Sequence, residues 1–278
     1  MAINLDLVGK KSEPIIHKYG WKDVVVYALG IGASTDELDF LFEMGELKVF
    51  PTFAVVPSFR ALVQATSNLN VNPMMILHGE QTVIQHKPIP PEGELTTISQ
   101  VTGIYDKGKA ALVVVKAETT IDGTPVFDNV FTIFARGEGG FGGERGPEAL
   151  KADPPEGVAP DFRVEYPTLP QQALLYRLSG DTNPLHASPQ FAAMGGFDRP
   201  ILHGLCTYGH AGRAILHSVC GSDPARFKSF AARFASVVFP GDTIITEGWK
   251  EKPGRYIVRA STQEGKTVLS NAIAEVVE

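Results

Sequence analysis

Residues 238–249, VFPGDTIITEGW, repeat residues 90–101, PPEGELTTISQV, with Gly241–Asp242 falling on Gly93–Glu94. Both copies run from a proline-glycine turn into a segment rich in β-branched residues, the composition of a strand. The likeness extends downstream: each copy passes through a basic turn to a glycine turn and an apolar strand, and DGTPVFDNVFTI at 122–133 matches EGKTVLSNAIAE at 264–275. The chain therefore reads as one structural unit duplicated.

The first copy contains four runs rich in β-branched and aromatic residues: EQTVIQHKPI, LTTISQVTGIY, KAALVVVKAETTI and VFDNVFTIFA. PPEGE, DKG and DGTP separate them, so an antiparallel meander is expected. Upstream, PTFAVVPSFRALVQAT at 51–66 places Phe59, Leu62 and Val63 at helical spacing after Pro57 and Ser58, which predicts a core-facing helix. Residues 27–50 read as loop, short helix and strand.

The second copy opens with FRVEYPT, a short strand. Thr168 and Gln171 around Pro170 resemble a capping box for a helix, QQALLYRL, that stops near Gly180. Ser188–Pro189 then starts QFAAM, which Gly195–Gly196 ends. Tyr208, Ala211, Ile215 and Val219 form a longer apolar stripe, kept slim by Gly209, Ala211, Gly212 and Ala214 so that a sheet can approach. Residues 226–277 form the second meander, in which Tyr256, Val258 and Ala260 alternate with Arg259 and Ser261. Between the copies, Gly137–Gly142 match G-x-G-x-x-G. A dinucleotide loop needs a helix to begin there, whereas the chain meets Pro147 and Pro154–Pro155. The expected division is 1–136, a linker over 137–160, and 161–278.

With 278 residues, 44% hydrophobic and 20% charged, the chain has the composition of a soluble globular protein. A net charge of −6 argues against a general nucleic-acid binder, although a local basic patch remains open to an anionic ligand. Cys206 and Cys220, fourteen apart, fit no disulfide framework or C-x-x-C site and are read as buried thiols. No secretory signal and no run of about 18 apolar residues is present, and AEVVE is not a Ser-Lys-Leu address. The expected setting is cytoplasmic, away from the membrane.

Proton-transfer chemistry concentrates in YRLSGDTNPLHASPQFAAMGGFDRPILHGLCT, residues 176–207. Asp181, Asn183 and His186 share a short loop stiffened by Pro184, and such a carboxylate, amide and imidazole can hold a water and trade its proton. The same residues also suit an ordinary turn. A helix starting at His203 or Gly204 would aim free amides at a developing negative charge, with glycine letting a carbonyl approach; Gly204 equally suits tight packing. His203, His210 and His217 recur every seven residues, about 10 Å apart on a helix, too far for one metal's ligand shell. Ser179 lacks a nucleophile elbow.

The motif YRLSGDTNPLHASPQFA with GFDRPILHGLCT resembles the 2-enoyl-CoA hydratase 2 (MaoC-like) family, most closely the hydratase portion of the multifunctional β-oxidation enzymes. FPTFAVVPS, HGEQ at His78–Gln81, FGGERG, RFKSFAARFASVVFPGDT and WKE add to the likeness, which covers the chain from about Tyr27 onward. The resemblance implies an α+β double hot dog: two units, each an antiparallel sheet around a helix, joined in one continuous sheet. It implies that the first unit accommodates the acyl chain and the second is catalytic. It assigns Asp181 and His186 as an acid/base pair around one water, Asn183 as their orienter, and the Gly204 backbone N–H as oxyanion donor. The implied reaction is reversible hydration of trans-2-enoyl-CoA to (3R)-3-hydroxyacyl-CoA, without metal or redox cofactor, in a homodimer. Since CoA is anionic, Arg233, Lys250 and Lys252 are candidates to meet its phosphates, or else solvated surface charges. Alternatives are a dehydratase of branched or dicarboxylic 3-hydroxyacyl-CoA, a non-catalytic acyl-CoA-binding module, and a thioesterase.

Overall fold

The computed structural model describes residues 2–72, 75–148 and 150–278. Among these, ten strands join in one sheet, and all the strand pairings are antiparallel. The first unit supplies β1 (Ile15–Tyr19), β2 (Ile76–Gln85), β3 (Gly93–Asp106), β4 (Ala110–Ile121) and β5 (Thr124–Arg136). The second supplies β6 (Phe162–Pro167), β7 (Phe227–Phe234), β8 (Thr243–Lys252), β9 (Arg255–Thr262) and β10 (Thr267–Val276). Across the sheet the order is β1-β3-β4-β5-β2-β7-β10-β9-β8-β6. Each strand of one half has its counterpart in the other, in mirrored order about the β2–β7 seam, as the sequence repeat requires.

Neither set of four strands is a simple meander. In each unit the last three pair in chain order, while the first crosses over to lie beyond the last, β2 on β5 and β7 on β10. Residues 86–92, between β2 and β3, are too many for a two-residue hairpin that would pair neighbours directly. The crossover leaves β2 and β7 with free edges, which pair from Glu80↔Arg233 to Ile84↔Ser229 and fuse the two units.

Among the described residues five α-helices accompany the sheet: α1 (Trp21–Gly30), α2 (Val55–Thr66), α3 (Gln172–Tyr176), α4 (Pro189–Met194) and α5 (Gly204–Val219). α2 begins ahead of Pro57, after a 3-10 turn over Pro51–Ala54, and a proline is tolerated in the first turn because its missing N–H has no partner there anyway. Residues 27–50 depart from expectation: Tyr27 lies in α1, a 3-10 turn covers Leu38–Phe40, and no strand forms near Phe50. Tyr27, Ile31, Phe40, Val49 and Phe50 there are buried by packing, with the Phe40 and Phe50 rings stacked at 4.1 Å, while Leu38, Phe42 and Met44 stay exposed. The strand lies earlier instead, as β1 on β3.

The box at Thr168–Gln171 does not form. The Thr168 hydroxyl donates to the Asp242 carbonyl (2.7 Å) and accepts from the Gly241 N–H (2.9 Å), which ties it to the turn before β8. Gln172 instead accepts from the Leu169 N–H and donates to the carbonyls of Leu29 and Gly30, joining α3 to the end of α1. α4 starts at Pro189 and ends at Gly195–Gly196, but the Ser188 hydroxyl turns to Gln190 rather than capping. The Gly-rich segment carries no helix. The Asp106 carboxylate accepts the N–H groups of Gly108, Gly140 and Gly142, which hold it below the usual carboxylate range and fold the segment onto the end of β3.

α5 is the central helix. Tyr208, Ala211 and Ile215 are wholly buried, and the Tyr208 ring stacks on Phe230 of β7 at 4.5 Å while its hydroxyl donates to the Phe230 carbonyl at 2.6 Å. Burying such side chains contributes about 1.5–3 kcal/mol each. A Cβ at Gly209 would lie 2.3 Å from Ile31, so the slim side of α5 faces the end of α1 rather than the sheet alone. Cys206 and Cys220 are free and buried.

Candidate active site

Two chain segments converge beneath the β2–β7 seam. Gly180, with φ of 120°, ends the turn after α3, a left-handed conformation that glycine adopts without strain, and releases the loop 181–186. Within it the Asp181 carboxylate accepts the Asn183 N–H (3.1 Å) and the Asn183 side-chain oxygen accepts the Leu185 N–H (3.0 Å). These two turns, with Pro184 at the head of a 3-10 turn over Pro184–His186, fix where His186 leaves the backbone. The Asn183 side chain acts on the shape of the loop, with no hydrogen bond to Asp181 or His186 side chains among the described residues.

The second segment, 201–204, is held by the Leu202 N–H on the Val238 carbonyl at 2.8 Å. His203 is the residue before α5 and Gly204 is its first residue. The Gly204 N–H therefore has no intrahelical acceptor, and Gly204 is accessible while its neighbours on both sides are buried. A Cβ there would meet the Phe234 ring at 3.2 Å, so glycine serves a close approach as well as access.

His186 is buried, and its Nδ1 lies 2.9 Å from the Ile201 carbonyl. A carbonyl only accepts, so Nδ1 carries the proton and Nε2 is left with a lone pair. Burial lowers the His186 pKa from its ordinary value, against the opposing pull of the Ile201 bond and the Asp181 charge. His203, 1% exposed, stacks on His186 with ring centroids 3.7 Å apart, and its Nε2 lies 3.1 Å from the Asp181 main-chain carbonyl. Burial, with His186 as a lesser cause, pushes the His203 pKa down to about 3.

Donor atoms of Asp181, His186 and His203 lie within 4.8 Å of one another, close enough to consider a cation. The two imidazole planes are stacked only 26° from parallel, so their lone pairs lie in two nearly parallel planes, a poor geometry for both to meet one ion. The arrangement suits proton transfer better than coordination.

A cavity of about 820 Å³ joins this loop to the first unit. Asp181, Asn183, His186 and Gly204 line one part of it, and Phe59, Leu62 and Val63 of α2 with Ile76, Leu77 and Phe134 line another. The helix expected to face the core thus spends part of that face on the cavity; Val63 is 53% exposed. Arg233 also lines the cavity, 3.7 Å from Glu80 across the seam. Lys250 and Lys252 do not: Lys250 pairs with Glu278 at 2.5 Å, and Lys252 ends β8 on the exposed surface. Sequence reasoning gave no role to His78, which lines the cavity edge-on to Phe234 at 4.8 Å and is pushed down to about 4 by burial. Only the β2–β7 register brings it there.

Residues 17–137 match the family described as MFE-2 hydratase 2 N-terminal domain, and residues 151–273 match the MaoC like domain. The chain is 41% identical to the probable enoyl-CoA hydratase 2 of Dictyostelium discoideum, over 96% of this chain and 94% of that one. It is 40% identical to the 3-hydroxyacyl-thioester dehydratase Y of Mycobacterium tuberculosis, covering 100% and 99%. Among solved structures, a MaoC-like dehydratase from Phytophthora capsici superposes with a TM-score of 0.90 at 35% identity, over 99% and 98% of the chains. A Mycobacterium tuberculosis protein described as having a double hotdog fold shares that fold at 13% identity, with a TM-score of 0.58 over 96% of each chain.

Proposed function

Because the chain belongs to the MaoC-like dehydratase family of hydro-lyases, we propose that it adds water reversibly across a trans-2-enoyl-CoA to give the (3R)-3-hydroxyacyl-CoA. The observation that carries this reading is the meeting, in one cavity, of Asp181 and His186 with the accessible Gly204 that opens α5. Neutral His186 takes a proton from water through Nε2 as the water oxygen bonds to C3, and Asp181 orients the same water. The electron pair of the double bond moves onto the thioester oxygen, where the Gly204 N–H and the positive end of α5 stabilise it. A proton returned from the pair to C2 completes the addition. Asn183 orients the pair by shaping the loop that carries it. The scheme uses no metal or redox cofactor.

In this reading the unit over 1–136 accommodates the acyl chain through the apolar part of the cavity, 137–160 is the linker, and 161–278 supplies the catalytic groups. Arg233 is the cavity's one Lys or Arg among the described residues and is already beside Glu80, so the lining favours uncharged acyl chains over dicarboxylic ones. Arg233 is also the best placed of the candidates for a CoA phosphate; Lys250 and Lys252 lie off the cavity. Among the described residues no helix is long and apolar enough to cross a membrane. We place the protein in the cytoplasm, as a homodimer.

Asp181→Ala and His186→Ala are each expected to lower kcat/KM for hydration about 10²–10⁴-fold, the usual worth of a positioned acid or base, with circular dichroism unchanged. Near-normal turnover in either variant would remove the acid/base assignment.

A further inference from the structure

His203 touches both halves of the site yet does not line the cavity. Its main chain precedes the first turn of α5, its Nε2 meets the Asp181 carbonyl at 3.1 Å, and its ring stacks on His186 at 3.7 Å. The Tyr176 ring lies 5.0 Å away, and the side chain is 1% exposed. The carbonyl of Asp181 can only accept, so Nε2 carries the proton and the ring is the tautomer opposite to that of His186. The remaining nitrogen, Nδ1, is buried and has no hydrogen-bond partner among the described residues, so the Nε2 bond to the Asp181 carbonyl is the ring's one hydrogen bond there.

We propose that His203 is a positioning residue: its Nε2–H holds the Asp181 backbone, its ring face holds and shields His186, and together these contacts tie the acid/base loop to the oxyanion end of α5. The proposal rests on the hydration reading above. A neutral ring is essential to it, because a charge at 3.7 Å would oppose protonation of His186 during turnover. The titratable and charged groups around His203 are Asp181 and His186 on the loop and Tyr176 and Arg177 before it. Burial holds His203 neutral well below pH 6.5.

Two substitutions separate the two contacts. His203→Phe keeps a flat ring over His186 and loses the N–H to Asp181; His203→Gln keeps an N–H donor and loses the ring. Each is expected to lower kcat about 10–100-fold with KM changed less than about threefold, the signature of misplaced catalytic groups rather than lost binding. The acid limb of the kcat profile distinguishes them. In His203→Gln water reaches His186, its pKa rises toward the ordinary value and the limb moves to higher pH, whereas in His203→Phe the limb stays in place. Loss of kcat that tracks melting temperature with an unmoved limb in both variants, or wild-type kcat in both, overturns the proposal. Nitrogen-15 histidine NMR of the substrate-free wild type tests it without any variant: at pH 5 His203 should be neutral with its proton on Nε2, and a protonated ring or the other tautomer overturns it. A wild type that fails to hydrate enoyl-CoA would remove the functional reading and leave this spectrum to decide the side-chain arrangement.

Discussion

Burial sets the charge of the imidazoles at the site. His186, His203 and His78 are all pushed below the ordinary histidine value, chiefly by loss of water, so the cavity is lined or backed by neutral rings at neutral pH. For His186 the sign has a direct consequence. A base with a lowered pKa is competent above that value and is lost as pH falls through it, so the acid limb of kcat should lie below pH 6.5. A pH profile of hydration checks this, and a limb above 6.5 contradicts the assignment of His186 as base. Asp181, Asn183, His186 and Gly204 were legible because a D-x-N-P-x-H loop and a helix-opening glycine fall within one short stretch of sequence. The stack of His203 on His186 was not, since seventeen residues separate them and only the loop's fold aligns the rings. The Glu80–Arg233 and His78–Phe234 contacts depend on strand register, which no local pattern encodes.

α5 is braced from the first unit by one carboxylate. Glu37, in the segment after α1, accepts from Arg213 Nε at 2.7 Å and again from its Nη2, and lies 2.6 Å from His217 Nε2. The Arg213 side chain is 6% exposed and sits over the Tyr166 ring of β6 at 3.8 Å. Removing one partner of such a pair strands the other, so Glu37→Gln is expected to cost on the order of 3 kcal/mol in urea unfolding at pH 7. Hydrogen bonds from His217 and Arg213 outweigh burial and hold Glu37 at about 2, below its ordinary 4.5. A depressed carboxylate contributes stability that is fully present above about pH 4.5 and declines as pH falls toward 2. Wild type should therefore lose stability over that window more steeply than Glu37→Gln; parallel slopes would contradict the brace. The helical stripe of α5 and the glycine stops of α3 and α4 were legible from periodicity and turn chemistry. β1 was not, because a five-residue edge strand is fixed by its pairing with β3, and neither was the 27–50 segment, where packing such as the Phe40–Phe50 stack takes the place of a periodic pattern.

Across the whole molecule, duplication explains both the sheet and the site. The repeat at 90–101 and 238–249 was enough to imply two equivalent units and, with the family resemblance, the double hot dog. It could not give the strand order, because the crossover of β2 and β7 depends on long connections and on the seam between units. That seam brings residues of α2 and of the 181–186 loop into the lining of one cavity, so both units contribute to it. If the protein is a homodimer, light scattering behind size exclusion should give twice the mass of one chain, and a monomer mass would remove that proposal. The most direct test of the central claim is to give purified wild-type protein a trans-2-enoyl-CoA, follow loss of the conjugated thioester absorbance, and determine the chirality of the product. Turnover to the (3R)-3-hydroxyacyl-CoA is expected; no hydration across a panel of chain lengths, or formation of the 3S product, would contradict the proposed reaction.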